Sequence, residues 1–245
     1  MAISKALTIA GSDSGGGAGI QADLKTFQEL NVYGMTVITA VTSQNTLGVQ
    51  AVYPQTVEAV VSQIESVAVD LKPDAVKTGM LFSKEIIEAV AEQLEKHQLE
   101  NLVIDPVMVA KGGAQLLQDE AIDALCEKIL PKATVITPNL PEAARLAGME
   151  SIENISEMKK AARRIYELGV KHVLIKGGHL SSDQKAIDLL YDGFTYYSVS
   201  SERVHTKHTH GTGCTYSAAI TAELAKGNDL KQAVNNAKHY ITCAI

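Results

Sequence analysis

The chain has no tryptophan, and aromatic residues of all kinds make up only 4% of its 245 residues. It also lacks an apolar run near the ~20 residues that a membrane-spanning helix needs. No cluster of basic residues occurs, and the formal net charge is −6. An acidic chain without a basic patch is a poor ligand for phosphate backbones. These absences argue against a nucleic-acid partner and against a membrane partner.

Cysteine is scarce as well, with three residues at Cys126, Cys214 and Cys243. An odd number at wide spacings matches neither a disulfide framework nor a metal site, so we expect free thiols in a reducing cytoplasm. The first residues enter a strand pattern directly, which predicts no signal peptide. The last helical pattern, at 230–245, has no stop signal, so we expect an incomplete or frayed C-terminal end.

What the chain does contain is a regular alternation of short apolar runs and amphipathic stretches. Its 46% hydrophobic and 20% charged residues are typical of a globular protein with a sizeable core. The apolar runs predict buried strands at 6–10, 34–41, 75–78, 102–107, 134–137 and 172–176. Helical periodicity predicts helices at 20–27, 56–69, 83–97, 119–130, 156–168, 213–226 and 230–245.

A different signal follows the last of these strands. Two short strand patterns, around 186–191 and 194–199, are joined by Asp192-Gly193, a hairpin turn signal. This predicts an antiparallel hairpin at the edge of the sheet. We therefore expect one α/β domain over residues 1–245, with a mostly parallel central sheet and helices on both faces.

The stretch before the penultimate helix is the strongest candidate for a functional site. Gly211 and Gly213 flank Thr212 directly before a long apolar helix pattern. Glycines at a helix start leave backbone N–H groups facing outward, and these donors suit an anion together with the helix dipole. The same field would favour the thiolate of Cys214, a candidate base or nucleophile. The alternative is an ordinary glycine-rich loop before a packing helix.

Polar residues follow several predicted strands, at the edge where open α/β sheets bind ligands. The amide of Gln44 offers a donor beside an acceptor, which matches the edge of an aminopyrimidine; a solvated loop glutamine is the alternative. Asp105 stands where a metal-binding or phosphate-positioning carboxylate would lie, or it caps the turn at Pro106. The glycine loop at 111–113 could move over such a site.

Two further motifs have both a structural and a functional interpretation. Asn139 and Glu142 fit the N-cap and N3 positions of a helix, which a capping box explains. Glu142 could instead organise hydrated Mg²⁺ near triphosphate oxygens. Lys176 before Gly177-Gly178 could meet phosphate while the glycines admit a nucleotide, or it could be a solvated lysine before a plain turn.

Several motifs match one known family when they are taken together. They are the runs 6–13 and 15–26, Lys77-Thr78-Gly79-Met80, Asp105-Pro106-Val107-Met108, 137–143, Lys176-Gly177-Gly178-His179 and 210–214. Through them the chain resembles the hydroxymethylpyrimidine/phosphomethylpyrimidine kinases of the ribokinase-like superfamily over nearly its whole length. The resemblance implies a three-layer α/β/α sandwich. It also implies Mg²⁺ and ATP-dependent phosphorylation of 4-amino-5-hydroxymethyl-2-methylpyrimidine and its monophosphate, in thiamine synthesis.

The same resemblance assigns expected roles by position. The pyrimidine would be held by Asp23 and Gln44, with four residues nearby: Gly11, Ala18, Met80 and Val107. ATP would lie against Lys176, Gly177, Gly178, Asn139, Thr209 and His210. The N-x-x-E motif would place the metal at Glu142, with Asp105 beside it. The amides of Gly211, Thr212 and Gly213 would receive the transferring phosphoryl group.

Cys214 marks a branch within the superfamily, because the sugar kinases carry an aspartate base there while the pyrimidine kinases and some pyridoxal kinases carry cysteine. A thiolate could accept the hydroxyl proton, or Cys214 could mainly position the alcohol. The nearest alternative function is a pyridoxine/pyridoxal kinase or a dual-specificity enzyme, and Gln44 favours the pyrimidine. A non-catalytic vitamin- or nucleotide-binding protein is a more distant alternative. The resemblance and the exposed sheet edges suggest a homodimer.

Overall fold

The computed structural model describes residues 3–109, 117, 119–178 and 185–245. Its strands are β1 (Lys5–Asp13), β2 (Tyr33–Asn45), β3 (Gly48–Pro54), β4 (Ala75–Thr78), β5 (Leu102–Ile104), β6 (Val135–Ile136), β7 (Val173–Ile175), β8 (Lys185–Tyr191) and β9 (Tyr196–Glu202). Its α-helices are α1 (Gly19–Glu29), α2 (Val57–Asp70), α3 (Lys84–Lys96), α4 (Asp119–Ala124), α5 (Leu140–Leu146), α6 (Ile155–Tyr166), α7 (Thr212–Ala225) and α8 (Leu230–Ala244).

All the strands join one sheet in the order β3-β2-β1-β4-β5-β6-β7-β8-β9. The six neighbouring strands β2, β1, β4, β5, β6 and β7 run parallel. At the two ends of the sheet, β3, β8 and β9 join through antiparallel pairs. Parallel strands point their carboxyl ends to one edge of the sheet, so the polar residues that follow β1, β4, β5, β6 and β7 gather there.

Two apolar layers cover the sheet. Buried side chains of α2 to α6 pack on one face against Leu7 and Ile9 of β1, and those of α1, α7 and α8 pack on the other face against Ala6. Alternate residues of a strand point to opposite faces, so β1 contributes to both layers. The α/β/α architecture implied by the resemblance is confirmed.

Local sequence signals explain most helix starts. A side-chain oxygen accepts a backbone N–H at the N-terminus of α2, α3, α5, α6 and α8, from Thr56, Ser83, Asn139, Asn154 and Asp229 respectively. Such caps satisfy amide groups that the first helical turn leaves unpaired. None of the helices in the described ranges is long and apolar enough to cross a membrane.

The predicted hairpin is confirmed as β8 and β9, but three details of the sequence prediction are wrong. The second strand continues past residue 41 to Asn45 and turns into β3, an edge strand that sequence patterning missed. The helix expected at 119–130 changes at Leu125 into a π-helical turn and then a short 3₁₀ turn. The hairpin turn spans four residues rather than two, because Asp192 Oδ1 accepts the amides of Phe194 and Thr195. The loop predicted at 111–113 lies outside the described residues.

The turn after β7 supplies a test of the packing. A β-carbon on Gly177 would overlap the carbonyl oxygen of Ile187 in β8, whereas nothing lies within 4 Å of one on Gly178. Gly177→Ala should therefore lower the free energy of unfolding by about 1–3 kcal/mol, as overpacking does. Gly178→Ala is the matched control and should change it by less than about 0.5 kcal/mol. Urea titrations measure both, and equal midpoints would contradict this packing.

Candidate active site

Two cavities open side by side at the carboxyl edge of the sheet. The larger has a volume of about 1270 Å³ and is lined by the start of α7, the turn after β7, and residues of β9 and α8. The smaller has a volume of about 180 Å³ and is lined by the ends of β1, β2 and β4. The larger exceeds the range of about 300–1,000 Å³ that is common for small-molecule sites, and the smaller suits one small ring.

The N-terminus of α7 lies between these cavities. Gly211 caps the helix in a left-handed conformation with φ of 80°, and both Gly211 and Gly213 line both cavities. Thr212 lines the larger cavity and Cys214 the smaller. In the described part of the chain, the amides of Gly213 and Cys214 have no protein acceptor. Two unpaired N–H groups at a positive helix end would suit an anion at the partition, and we call this turn the anion site.

A partly buried cation lies beside these amides. The Lys176 ammonium is 2.9 Å from Asp105 Oδ1, and the Asp105 Oδ2 atom accepts a hydrogen bond from Ser217 of α7. A β-carbon on Gly213 would lie 3.3 Å from that ammonium. Burial opposes its charge, but Asp105 and Glu142 outweigh burial and raise the pKa of Lys176. The cation thus faces both cavities in its charged form.

The sequence-predicted capping box is present at the start of α5. The Glu142 amide donates to Asn139 Oδ1 and the Asn139 amide donates to Glu142 Oε2, both at 2.9 Å. Both side chains also line both cavities, so the structural and functional interpretations are compatible. Burial is the largest effect on Glu142 and raises its pKa to about 7, against the attraction of Lys176.

Most of the expected acceptor-site residues do line the smaller cavity: Gly11, Ala18, Gln44, Met80 and Val107. Asp23 does not. Its side chain is fully buried behind the cavity, where Oδ2 accepts from Thr8 at 2.6 Å and pairs with Lys77 at 2.9 Å. Lys77 lines the cavity in its place. Burial is the largest effect and would lower the pKa of Lys77, but the attraction of Asp23, together with smaller effects that include Asp105, outweighs burial and raises it.

Two other expectations change with the structure. His210 lines the smaller cavity rather than the nucleotide side, with Nε2 2.9 Å from Asp13 Oδ2. Gly177 lines neither cavity and instead donates its amide to Asp188 Oδ1 at 3.0 Å. Gly178 and Thr209 line the larger cavity as expected. His179 lies outside the described residues.

The expected preference of Cys214 for the thiolate is also reversed. Burial is the largest effect and raises the pKa of Cys214 to about 11, although the Lys77 charge acts in the opposite direction. A buried thiolate lacks the hydration that would stabilise its charge, and the helix field does not replace it. Burial thus favours the thiol form of Cys214 in the free protein.

Sequence reasoning assigned no role to Lys77 or Asp13, although each left a signal. Lys77 interrupts an otherwise apolar strand, and a lysine buried on a strand needs an acidic partner. Asp13 ends β1 directly before a glycine loop, where a carboxylate can collect backbone amides. The identity of their partners depends on tertiary packing across 54 residues for Lys77 and 197 for Asp13.

A family profile described as phosphomethylpyrimidine kinase matches residues 13–245. The chain belongs to this family. The expectation of a phosphotransferase from this family is therefore confirmed, and the two cavities with an anion site between them suit such an enzyme.

Individual members of the family show the range of activities around this sequence. The chain is 54% identical to the hydroxymethylpyrimidine/phosphomethylpyrimidine kinase of Bacillus subtilis strain 168 over 245 residues, which cover 100% of this chain and 90% of that relative. It is 50% identical to the pyridoxine kinase of the same organism over 247 residues, covering 100% and 91%. The pyridoxal kinase of Staphylococcus aureus, solved with AMP-PCP and pyridoxal, superposes with a TM-score of 0.92 at 43% identity, covering 100% and 88%.

The Lys77–Asp23 pair generates a stability prediction. Lys77→Met should lower the free energy of unfolding by about 3–5 kcal/mol, because it leaves the Asp23 carboxylate buried without its cation. The double variant with Asp23→Asn should be clearly more stable than Lys77→Met alone, since no unpaired charge remains. Chemical denaturation of the three proteins makes the comparison. If Asp23→Asn does not restore stability to the Lys77→Met protein, the loss does not come from an unpaired Asp23 carboxylate.

Proposed function

We propose that the protein transfers the γ-phosphoryl group of ATP to the hydroxymethyl group of 4-amino-5-hydroxymethyl-2-methylpyrimidine, and then a second phosphoryl group to the monophosphate, in thiamine biosynthesis. The observation that carries this proposal is the position of the Gly211–Cys214 turn between the two cavities, with unpaired amides at the partition. In each step the acceptor oxygen forms a bond to phosphorus as the bond to ADP breaks.

The larger cavity takes ATP in this proposal. Lys176 and the turn amides meet the phosphates, and Asn139, Gly178 and Thr209 lie along the same wall. Backbone donors at a helix start together with one lysine supply the positioning and charge stabilisation on which phosphoryl transfer mainly depends. A relative solved with an ATP analogue supports the choice of nucleotide.

Mg²⁺ fits this site in the form that nucleotide enzymes commonly use. The described residues include no group of three or more His, Cys, Asp or Glu side chains that could hold a metal by themselves. Mg²⁺ is instead usually held by one or two carboxylates, waters and substrate phosphates. Glu142, buried at both cavities, is the candidate ligand, while both oxygens of Asp105 already accept from Lys176 and Ser217. A bound Mg²⁺ would neutralise phosphate charge there.

The smaller cavity takes the acceptor ring. The Gln44 Oε1 atom accepts from Thr42 at 3.3 Å, and Gln44 lines the cavity. An amide can pair with both the amino group and the ring nitrogen of an aminopyrimidine. A second candidate function is phosphorylation of pyridoxine or pyridoxal, which the similarity to enzymes with those names favours. The two substrates would use the same cavity.

Cys214 acts in this proposal as a thiol that positions the acceptor alcohol. Burial keeps the group protonated at neutral pH, because its pKa lies at about 11. A loose transition state develops little charge on the attacking oxygen, so transfer does not require full removal of the hydroxyl proton beforehand. This replaces the base role that the sequence left open.

The function is tested by an assay of ADP release with ATP and Mg²⁺ and each acceptor in turn. We expect turnover with the aminopyrimidine alcohol at a higher kcat/KM than with pyridoxal or pyridoxine. Higher kcat/KM with a B6 vitamer would favour the second candidate. Nucleotide binding without turnover of any acceptor would overturn the kinase proposal.

Gln44 should set the choice between acceptors. Gln44→Leu should cost roughly 2–4 kcal/mol in kcat/KM for the aminopyrimidine, because it leaves the polar edge of the ring unpaired. Pyridoxal turnover should change less. Gln50→Leu, an exposed glutamine on the same hairpin, is the matched control. Equal losses for both acceptors in the Gln44 variant would remove the specificity argument.

A substitution at Cys214 distinguishes a positioning thiol from a general base. Cys214→Ser keeps a small hydroxyl donor, so kcat should fall less than about 10-fold and its pH profile should stay unchanged from pH 6 to 9. Removal of a general base would instead lower kcat by about 10²-fold or more. Steady-state rates across that pH range decide between the two roles. A large loss of kcat with an altered pH profile would contradict the positioning role of the thiol.

We also propose a homodimer in the cytoplasm. The β2–β3 edge exposes apolar side chains, with Val41 42%, Tyr53 60% and Leu47 90% accessible. An uncovered edge strand with apolar neighbours favours pairing with another copy. Cys126, Cys214 and Cys243 are free thiols, which supports a reducing compartment.

A further inference from the structure

Asp13 holds the loop that follows β1 and ends at Ala18, a residue that lines the smaller cavity. We call residues 14–18 the acceptor loop. The Asp13 Oδ1 atom accepts the amide of Gly15 at 2.8 Å, and Oδ2 accepts those of Gly17 at 3.1 Å and Ala18 at 2.8 Å. The side chain of Asp13 is 2% exposed. One carboxylate therefore fixes most of the loop backbone.

The same carboxylate also contacts His210, the residue directly before the Gly211–Cys214 turn. His210 Nε2 lies 2.9 Å from Asp13 Oδ2. Because a carboxylate only accepts, Nε2 carries a proton, and the nearby Gln44 amide nitrogen at 3.5 Å cannot donate to it. The backbones also meet, since a β-carbon on Gly211 would overlap the carbonyl oxygen of Gly17.

Electrostatics favour a charged Asp13 in this arrangement. Burial is the largest effect and opposes ionisation, but the bonds from His210, Ala18 and Gly15 outweigh it and lower the pKa of Asp13. The Lys25 ammonium donates to the Gly16 carbonyl at 2.7 Å, so a cation also lies near the loop. An ionised carboxylate forms stronger hydrogen bonds than a neutral acceptor would.

We propose that Asp13 and His210 form a positioning dyad that ties the acceptor loop to the Gly211–Cys214 turn, and so fixes the distance between acceptor hydroxyl and phosphoryl group. The catalytic part of this inference rests on the proposed function, while the tie between the loops does not. Neither residue transfers a proton to or from substrate in this role. Misplacement of reacting groups by about 1 Å can cost about 10²-fold in rate.

Two amide substitutions of His210 distinguish the hydrogen bond to Asp13 from any other role of the imidazole. In His210→Gln the side-chain nitrogen occupies the same position along the chain as Nε2 and can still donate to Asp13. In His210→Asn the nitrogen is one bond shorter, so the bond is lost while the functional group is the same. His208→Asn, at an exposed histidine of the same segment, is the matched control.

The first measurement does not depend on activity. Amide hydrogen exchange, read by NMR in the protein without substrates, should become at least about 10-fold faster at Gly17 and Ala18 in His210→Asn, because local opening becomes easier. His210→Gln and His208→Asn should exchange as the wild type does. Unchanged exchange in His210→Asn would overturn the tie between the loops, whatever the enzyme phosphorylates.

The second measurement is kinetic. In His210→Asn, kcat should fall about 10-fold or more while the KM for ATP changes by less than about 3-fold, because nucleotide binding persists but alignment is lost. His210→Gln should recover most of kcat. Equal loss in both variants would overturn positioning and indicate a role for the imidazole itself. Absence of turnover in the wild type would overturn the proposed function. Hydrogen exchange would still test whether Asp13 and His210 connect the acceptor loop to the Gly211–Cys214 turn.

Discussion

One buried and one partly buried lysine, each with an acidic partner, surround the N-terminus of α7, and the arrangement of the site depends on these pairs. Lys77 is held by Asp23 on one side, and Lys176 by Asp105 on the other. Removing either partner of a pair would leave a charge without compensation in a largely dry environment, so each pair constrains the elements that carry it. Both charges then face the point where anionic phosphate would arrive.

The sheet explains why two substrates can meet at this point. Parallel strands bring their carboxyl ends to one edge, and the start of α7 divides that edge into a large and a small cavity. The dividing turn has to be thin, which the glycines at 211 and 213 permit, and it has to present amides to both sides. A helix N-terminus meets both requirements through its backbone, with the Lys176 cation beside it.

Features with a local cause were predictable from the sequence, and features with a distant cause were not. The cap at Ser83 and the capping box of Asn139 and Glu142 depend on residues within one turn. The edge strand β3 has a weak pattern, because none of its residues is fully buried. The resemblance assigned Asp23 to the ligand, but its partner Lys77 comes from tertiary packing, which a helical periodicity does not indicate. The prediction of a thiolate at Cys214 is wrong for a similar reason, since burial outweighs the local helix field.

The central claim is that an acceptor alcohol in the small cavity meets a nucleotide phosphate from the large cavity across the Gly211–Cys214 turn. A crystal structure with 4-amino-5-hydroxymethyl-2-methylpyrimidine and a non-hydrolysable ATP analogue tests it most directly. The account predicts the ring against Gln44 and the hydroxymethyl oxygen about 3–3.5 Å from the terminal phosphorus, a near-attack distance. A ring bound in the large cavity, or a hydroxymethyl group turned away from the turn, would contradict it.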